Sequence, residues 1–189
     1  MSDVDKGRKI IQHGGIIVYP TDTLYGLGAS VFEEEAVKRV YEIKKRPRHL
    51  PLPIIVSSID DIENVAIFND VAYKLAKKFL PGALTVILEK KDVIPSIVAG
   101  KKIAVRVPDN DIARELATKP ITATSANIHG GEEPVTIEIA KKQLGNKVDM
   151  YIDGGKLPGI PSTIVDVSEK KIKIIREGVI KKERLYGAL

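Results

Sequence analysis

Short apolar runs alternate along the chain with stretches in which apolar residues recur at every third or fourth position. Runs rich in β-branched residues, such as 16–19 and 103–107, predict buried strands, whereas the recurring pattern in 33–44 predicts an amphipathic helix. Glycine and proline separate these stretches. The alternation of the two patterns predicts an α/β layered fold.

The predicted helices share an apolar stripe: 4–13, 33–44, 60–66, 69–79, 111–116 and 137–144. The predicted strands are short and rich in valine and isoleucine: 16–19, 53–56, 84–88, 103–107, 121–124, 150–152, 163–167 and 171–175. The turn 168–170 would join the last two strands as an antiparallel hairpin, so we expect a mixed sheet. We see no linker and expect one domain over residues 1–189.

The composition narrows the possible chemistry. A chain of 189 residues, 43% of them hydrophobic, is long enough to bury one core. The absence of cysteine excludes thiolate nucleophiles and zinc fingers. The three histidines are scattered along the chain, and no two of them have a spacing typical of a metal site. The net charge of +5 favours anionic partners such as nucleotides or RNA, although an ordinary solvated surface gives the same number. Without a signal peptide or membrane-span pattern, we expect a soluble cytoplasmic protein.

The familiar motifs of nucleotide binding and serine hydrolysis are missing. There is no phosphate-binding G-x-x-x-x-G-K-[ST] loop, and Gly26-Leu27-Gly28 lacks the third glycine of a dinucleotide fingerprint. No G-x-S-x-G elbow occurs either. Nucleotide binding would therefore need another arrangement.

Hydroxyl-rich and basic segments are the candidates for such an arrangement. The segment 19–28, YPTDTLYGLG, follows a predicted strand and is interpreted either as a ligand-binding loop or as a capped turn. The basic cluster 44–49, KKRPRH, suits a polyphosphate, with a solvated patch or an RNA contact as the alternative. The small, hydroxyl-rich segment 122–127, TATSAN, could approach a phosphate closely or form an ordinary strand exit.

In their order along the chain, these segments resemble the threonylcarbamoyl-AMP synthase family, the YrdC-like proteins of tRNA modification. The resemblance covers nearly the whole chain in seven segments: GGIIVYPTDTLYGLGA (14–29), IKKRP (43–47), PGALTVIL (81–88), IAVRVPD (103–109), TSAN (124–127), PSTIVD (161–166) and IIREG (174–178).

The resemblance implies a fold and an activity. The fold would be a YrdC-like twisted mixed sheet with flanking helices around a basic concave cavity. The activity would be the condensation of L-threonine, bicarbonate and ATP, with Mg²⁺ carried by ATP, into threonylcarbamoyl-AMP and pyrophosphate. A downstream transferase complex would pass the threonylcarbamoyl group to adenosine 37 of tRNA. Direct contact with tRNA or double-stranded RNA is a further expectation, and a membrane partner is not expected.

The resemblance also implies site residues. Lys44 and Arg46 would act on phosphate charge as catalytic residues. The nucleotide would be held by those two together with four more residues: Arg48, Ser125, Asn127 and Arg176. Threonine would be held by Thr21, Arg106 and Ser162. Since Arg106 lies within an apolar strand, the residues alone allow either a buried ion pair or a carboxylate clamp, and the resemblance favours the clamp. We assign no general base.

The chain departs from the family pattern in three places. Lys45 stands where the family usually has glycine, the segment after Pro51 lacks a histidine that some members use for threonine, and the chain stops shortly after Arg176. We therefore expect the short, single-domain form. The alternative functions are an RNA-binding YrdC-like module and a paralogue that makes another carbamoyl-adenylate.

Overall fold

The computed structural model describes all 189 residues. The helices are α1 (Asp3–Gln12), α2 (Glu34–Lys44), α3 (Ile62–Val65), α4 (Asp70–Phe79), α5 (Asp111–Leu116), α6 (Ile137–Leu144) and α7 (Lys182–Tyr186). The strands are β1 (Ile17–Tyr19), β2 (Gly26–Gly28), β3 (Ile54–Ile55), β4 (Leu84–Glu89), β5 (Lys102–Arg106), β6 (Ile121–Thr122), β7 (Thr124–Ser125), β8 (Met150–Tyr151), β9 (Thr163–Asp166) and β10 (Lys173–Arg176). No helix is long and apolar enough to cross a bilayer.

The strands form two mixed sheets. A four-stranded sheet has the order β7-β2-β1-β8, and a six-stranded sheet has the order β10-β9-β4-β5-β3-β6. Parallel pairs (β1 with β8, β3 with β5, β4 with β9) occur beside antiparallel ones, including the β9–β10 hairpin. The predicted mixed α/β architecture is confirmed.

Local capping signals fix most helix ends. The Thr136 hydroxyl accepts a hydrogen bond from the Ile139 N–H at the start of α6, and Gly145 ends that helix with φ of 56°. At the start of α1, Ser2 and Asp5 form a capping box. The predicted range 137–144 coincides with α6, and the predicted range 4–13 is one residue later than α1.

Two expectations about strands were wrong. Gly26–Gly28, expected within a loop, is the strand β2, paired with β1 on one side and β7 on the other. The single strand expected over 121–124 is divided at Ala123, with β6 in the six-stranded sheet and β7 in the four-stranded sheet. One short segment therefore belongs to both sheets.

A main core of 41 buried residues packs α2, α4 and α6 against the sheets. A smaller cluster of nine buried residues lies where α1 and α5 cover the other side of β1 and β6. Burial of apolar area on both sides of the sheets supplies most of the stabilisation.

Tyr19 packs across the glycines of β2. Its side chain is fully buried and its hydroxyl donates to the Thr122 carbonyl at 3.0 Å. A Cβ atom added at Gly28 would lie 2.7 Å from Tyr19 Cε1, and one at Gly26 would lie 2.7 Å from Cζ. The glycines therefore make room for an aromatic ring that joins the two sheets.

We expect Gly28→Ala to destabilise the protein by about 1–3 kcal/mol, because the added methyl group overpacks against this ring. Urea unfolding measures the change. Gly100→Ala is the matched control, since nothing lies within 4 Å of its Cβ position. Equal unfolding midpoints for the two variants would contradict the packing argument.

Candidate active site

A cavity of about 330 Å³ opens between the two sheets. Its floor is one face of the six-stranded sheet, where Thr85, Ile87 and Ala104 share a side because strand residues alternate. Its wall is formed by the loop after β1 and by the β2–β7 edge of the four-stranded sheet. The division at Ala123 thus places residues of both sheets around one cavity.

The cavity is basic. Three guanidinium groups line it, from Arg46, Arg106 and Arg176, and Glu133 is the one carboxylate among the lining residues. The other lining side chains are hydroxyls and apolar groups. This arrangement suits a ligand with more than one negative group.

Arg106 lies at the end of β5 and is only 8% exposed. Its guanidinium pairs with Asp22 at 2.5 Å and donates to Thr23 Oγ1 at 2.8 Å and to the Gly82 carbonyl at 2.9 Å. Burial lowers the pKa of Arg106, and the Asp22 charge opposes this shift. The side chain therefore forms the buried ion pair and also faces the cavity. Three of its five N–H groups are engaged, which leaves two for a ligand.

Thr21 faces the cavity, but its hydroxyl is engaged. It donates to the Leu24 carbonyl at 2.7 Å and accepts from the N–H groups of Thr23 and Leu24. The segment after β1 is thus a capped turn whose side chains line the cavity. A direct contact of Thr21 with threonine stays a prediction.

Ser162 lies beside a residue that the sequence analysis missed. Its hydroxyl shares a 2.8 Å hydrogen bond with Thr85, and both side chains are buried at the cavity floor. Arg176 donates to the Ser162 carbonyl at 2.9 and 3.2 Å. Thr85 lies within the segment PGALTVIL (81–88) that contributes to the resemblance, but the sequence analysis assigned it no role, because it is a single hydroxyl within the apolar run 84–88.

Lys44 does not line the cavity. It is 2% exposed, and its ammonium donates to the Ser125 carbonyl at 2.5 Å, the Asn127 carbonyl at 2.7 Å and Asn127 Oδ1 at 3.1 Å. Burial lowers its pKa from 10.5 to about 7. The structure therefore shows Lys44 joining the end of α2 to the loop 125–133, and the predicted contact with phosphate stays untested.

Asn127 continues this connection along the loop 125–133. Its Oδ1 accepts from the Ser125 hydroxyl at 2.8 Å, and its Nδ2 donates to the carbonyls of Gly131 and Glu132. Ser125 lines the cavity, whereas Asn127 does not. The two polar side chains thus hold the loop in shape, and only Ser125 faces a ligand directly.

The side chains of the basic cluster 44–49 do not all reach the cavity. Arg46 lines the cavity and donates to the Pro51 carbonyl at 2.9 Å, while Arg48 is exposed outside it and lies 3.5 Å from Glu42. Lys45, which replaces the usual glycine, ends α2 in the left-handed region with φ of 51°. That conformation is the one in which helix ends favour glycine.

The cavity offers positioning and charge rather than covalent catalysis. It contains neither a histidine nor a cysteine, and no cluster of three or more acidic or histidine side chains that could hold a metal is present. Its arginines can stabilise negative charge on carboxylate or phosphate oxygens. The arrangement therefore fits a reaction between anionic substrates held in place.

Comparison with known proteins gives the family. A family model named for Sua5, YciO and YrdC, with the description "Telomere recombination", matches residues 9–178. The chain belongs to the Sua5/YciO/YrdC family. The predicted family is thereby confirmed.

Named relatives of the Sua5/YciO/YrdC family cover most of the chain. A putative threonylcarbamoyl-AMP synthase of Methanocaldococcus jannaschii is 48% identical over 94% of this chain and 86% of its own length. The threonylcarbamoyl-AMP synthase of Pyrococcus abyssi is 38% identical over 93% of this chain but only 54% of its own length. These names support the predicted class of enzyme over the RNA-binding and paralogue alternatives.

The fold agrees with a solved structure of the same family. The crystal structure of P. abyssi Sua5 complexed with L-threonine has a TM-score of 0.94 and 35% sequence identity. The match covers 98% of this chain and 57% of the Sua5 chain. The chain thus spans just over half the length of that relative.

Proposed function

We propose that this chain is an L-threonylcarbamoyladenylate synthase, which condenses L-threonine, bicarbonate and ATP and releases pyrophosphate. The observation that carries the proposal is the convergence of Arg46, Arg106 and Arg176 on one cavity between the sheets. Three substrates that each carry an anionic group need such a site. The names of the relatives and the Sua5 complex with L-threonine support the choice of substrates.

The amino acid would bind at the floor of the cavity. The two free N–H groups of Arg106 can receive the threonine carboxylate, and Ser162 and Thr85 offer hydroxyls beside them. Thr21 would act mainly by holding the turn that carries Asp22 and Thr23. The clamp and the ion pair are then two functions of the same arginine.

The nucleotide would bind along the wall. Arg46 and Ser125 face the cavity there, and Arg176 lies on the side of β10. Lys44 and Asn127 would contribute through the loop 125–133, which they hold in position. We propose that Mg²⁺ enters with ATP and is held by its phosphates, because the chain offers no cluster of metal-binding side chains.

The reaction would proceed without a covalent enzyme intermediate. Bicarbonate gives carbon dioxide and hydroxide, and the deprotonated threonine amine attacks the carbon dioxide to form the C–N bond of a carbamate. The ammonium group gives up two protons in all, of which one leaves with the hydroxide as water. A carbamate oxygen then attacks the α-phosphorus of ATP, and the bond to pyrophosphate breaks. Ordered reactants can lower the barrier by roughly 7–11 kcal/mol, and the arginines stabilise the negative charge of the phosphates.

Pyrophosphate release from ATP, with threonine and bicarbonate each omitted in turn, tests the proposal. We expect release that requires both. Release independent of threonine would point to another carbamoyl-adenylate, and the absence of release together with salt-sensitive RNA binding would favour the RNA-binding module.

The wider setting of the enzyme follows from the same proposal. The labile product would pass to a threonylcarbamoyl transferase complex for modification of tRNA, in the cytoplasm. The single-domain organisation over 1–189, and direct contact with tRNA or double-stranded RNA, stay predictions.

A further inference from the structure

Glu133 is the one carboxylate that lines the cavity. No ion pair or side-chain hydrogen bond within the chain involves its carboxylate, whereas Asp22 is engaged with Arg106. Glu133 is therefore a free negative group in a cavity that otherwise presents positive ones.

The backbone on both sides of Glu133 is fixed. The Glu132 carbonyl accepts from Asn127 Nδ2 at 3.3 Å and from Gln143 Nε2 at 2.9 Å, and the Pro134 carbonyl accepts from the Tyr25 N–H at 3.0 Å. The Val135 N–H donates to the Glu133 carbonyl at 2.9 Å. The carboxylate is thus presented from an anchored segment rather than from a loose loop.

The charge of Glu133 acts on cationic groups of two elements. Burial lowers the pKa of Lys44, at the end of α2, and of Arg176, in β10, and the Glu133 charge opposes the lowering for both. Arg46 lines the same cavity. The carboxylate therefore lies in the same cavity as Arg46, Arg106 and Arg176.

Several other polar side chains in the cavity are hydrogen-bonded within the chain or are not bases. The guanidinium groups stay protonated at neutral pH. The Tyr25 hydroxyl donates to Asp153 and the Gly155 carbonyl, and burial raises its pKa. The hydroxyl of Thr21 is committed within its turn and that of Ser162 is paired with Thr85. Among the lining residues, Glu133 is thus the one carboxyl group, and no side-chain hydrogen bond within the chain involves its oxygens.

The proposed substrate needs such a group. Threonine arrives with an ammonium group, which must lose a proton before its lone pair can form the C–N bond to carbon dioxide. We infer that Glu133 is a further catalytic residue, which pairs with the threonine ammonium group and accepts the proton that it gives up. The electron pair left on nitrogen forms the new bond, a C=O π pair moves onto the carbamate oxygen, and the second proton lost from nitrogen leaves as water with the hydroxide released from bicarbonate. This inference rests on the proposed function.

Kinetics of Glu133→Gln test the inference. We expect the KM for threonine to rise at least about tenfold and kcat to fall about 100-fold. A fall in kcat of this size is typical for the loss of a general base. The KM for ATP should stay within about twofold of the wild-type value. The kcat deficit should shrink between about pH 7 and pH 9, as threonine loses its own proton. Glu132→Gln is the matched control, since Glu132 lies outside the cavity lining.

A binding measurement separates this inference from the proposed function. By calorimetry, the wild type should bind L-threonine more tightly than 3-hydroxybutyrate, which lacks the amine, and Glu133→Gln should lose that preference. A preference retained in Glu133→Gln, or a change confined to the KM for Mg²⁺-ATP, would overturn the assignment. Failure of the wild type to release pyrophosphate would instead overturn the proposed function, whatever the variant does.

Discussion

Replacement of Arg106 by methionine is expected to lower the kcat/KM for threonine at least about 100-fold, because a buried charge contact with substrate is lost. The same change removes the partner of Asp22, whose side chain is only 17% exposed. An unpaired buried carboxylate costs about 3–5 kcal/mol, so the protein should also be less stable. Pyrophosphate release and urea unfolding measure the two effects.

The double variant Arg106→Met with Asp22→Asn separates catalysis from stability. Removing both charges should recover most of the lost free energy of unfolding but none of the activity. Arg114→Met is the control, since its pairs with Asp109 and Asp111 lie at the surface and contribute less than about 1 kcal/mol. Activity restored by Asp22→Asn would show that the arginine serves only the ion pair.

Lys44→Met is expected to lower kcat/KM about 100-fold in a protein that still folds. The change leaves the carbonyls of Ser125 and Asn127 without their donor, and the loop 125–133 loses its link to α2. A displacement of about 1 Å in a substrate-positioning loop is enough for an effect of this size. Lys45→Met is the matched control, because Lys45 is exposed at the next position. Equal activity of both variants would exclude Lys44 from the site.

Titration of Lys44 should make the free energy of unfolding of the wild type depend on pH. The variant Lys44→Met should lack this contribution to the pH dependence. The pKa of Lys44 falls from 10.5 to about 7 on folding because the amine is buried. Between these values the unfolded chain binds more protons, so stability rises with pH. Relative to Lys44→Met, the wild type should gain about 1–3 kcal/mol between about pH 7 and pH 9. Urea unfolding across this range measures the gain, and parallel curves would contradict the shift.

The elements that the sequence predicted well carry their own local signals. Helix α6 has a threonine at its start and a glycine at its end, and α5 coincides with the predicted range 111–116. The β9–β10 hairpin follows from two β-branched runs joined by a short turn. In each case, residues adjacent in sequence determine the structure.

The features that the sequence missed depend on contacts between distant residues. The glycines of Gly26–Gly28 have low β propensity, and the segment becomes a strand because β1 and β7 pair with it. The ring of Tyr19 also packs against the glycines, where a Cβ atom would clash with it. The sequence motif predicts that Lys44 belongs to the site, but it does not show that the N–H groups of its ammonium donate to carbonyls of the loop 125–133. Thr85 lies within the segment 81–88 that contributes to the resemblance but was assigned no role, because a single inward hydroxyl in a buried strand resembles an ordinary core position.

The segment 121–125 connects the two sheets mechanically. Ser30 bridges to Ile121, and Thr122 exchanges hydrogen bonds with the backbone of Leu27 and Ala29, so the two sheets are fastened to each other along the cavity wall. Separation of the two sheets along this wall would break these bonds. We therefore expect ligands to enter without separation of the two sheets, so that the width of the cavity along this wall is set when the chain folds.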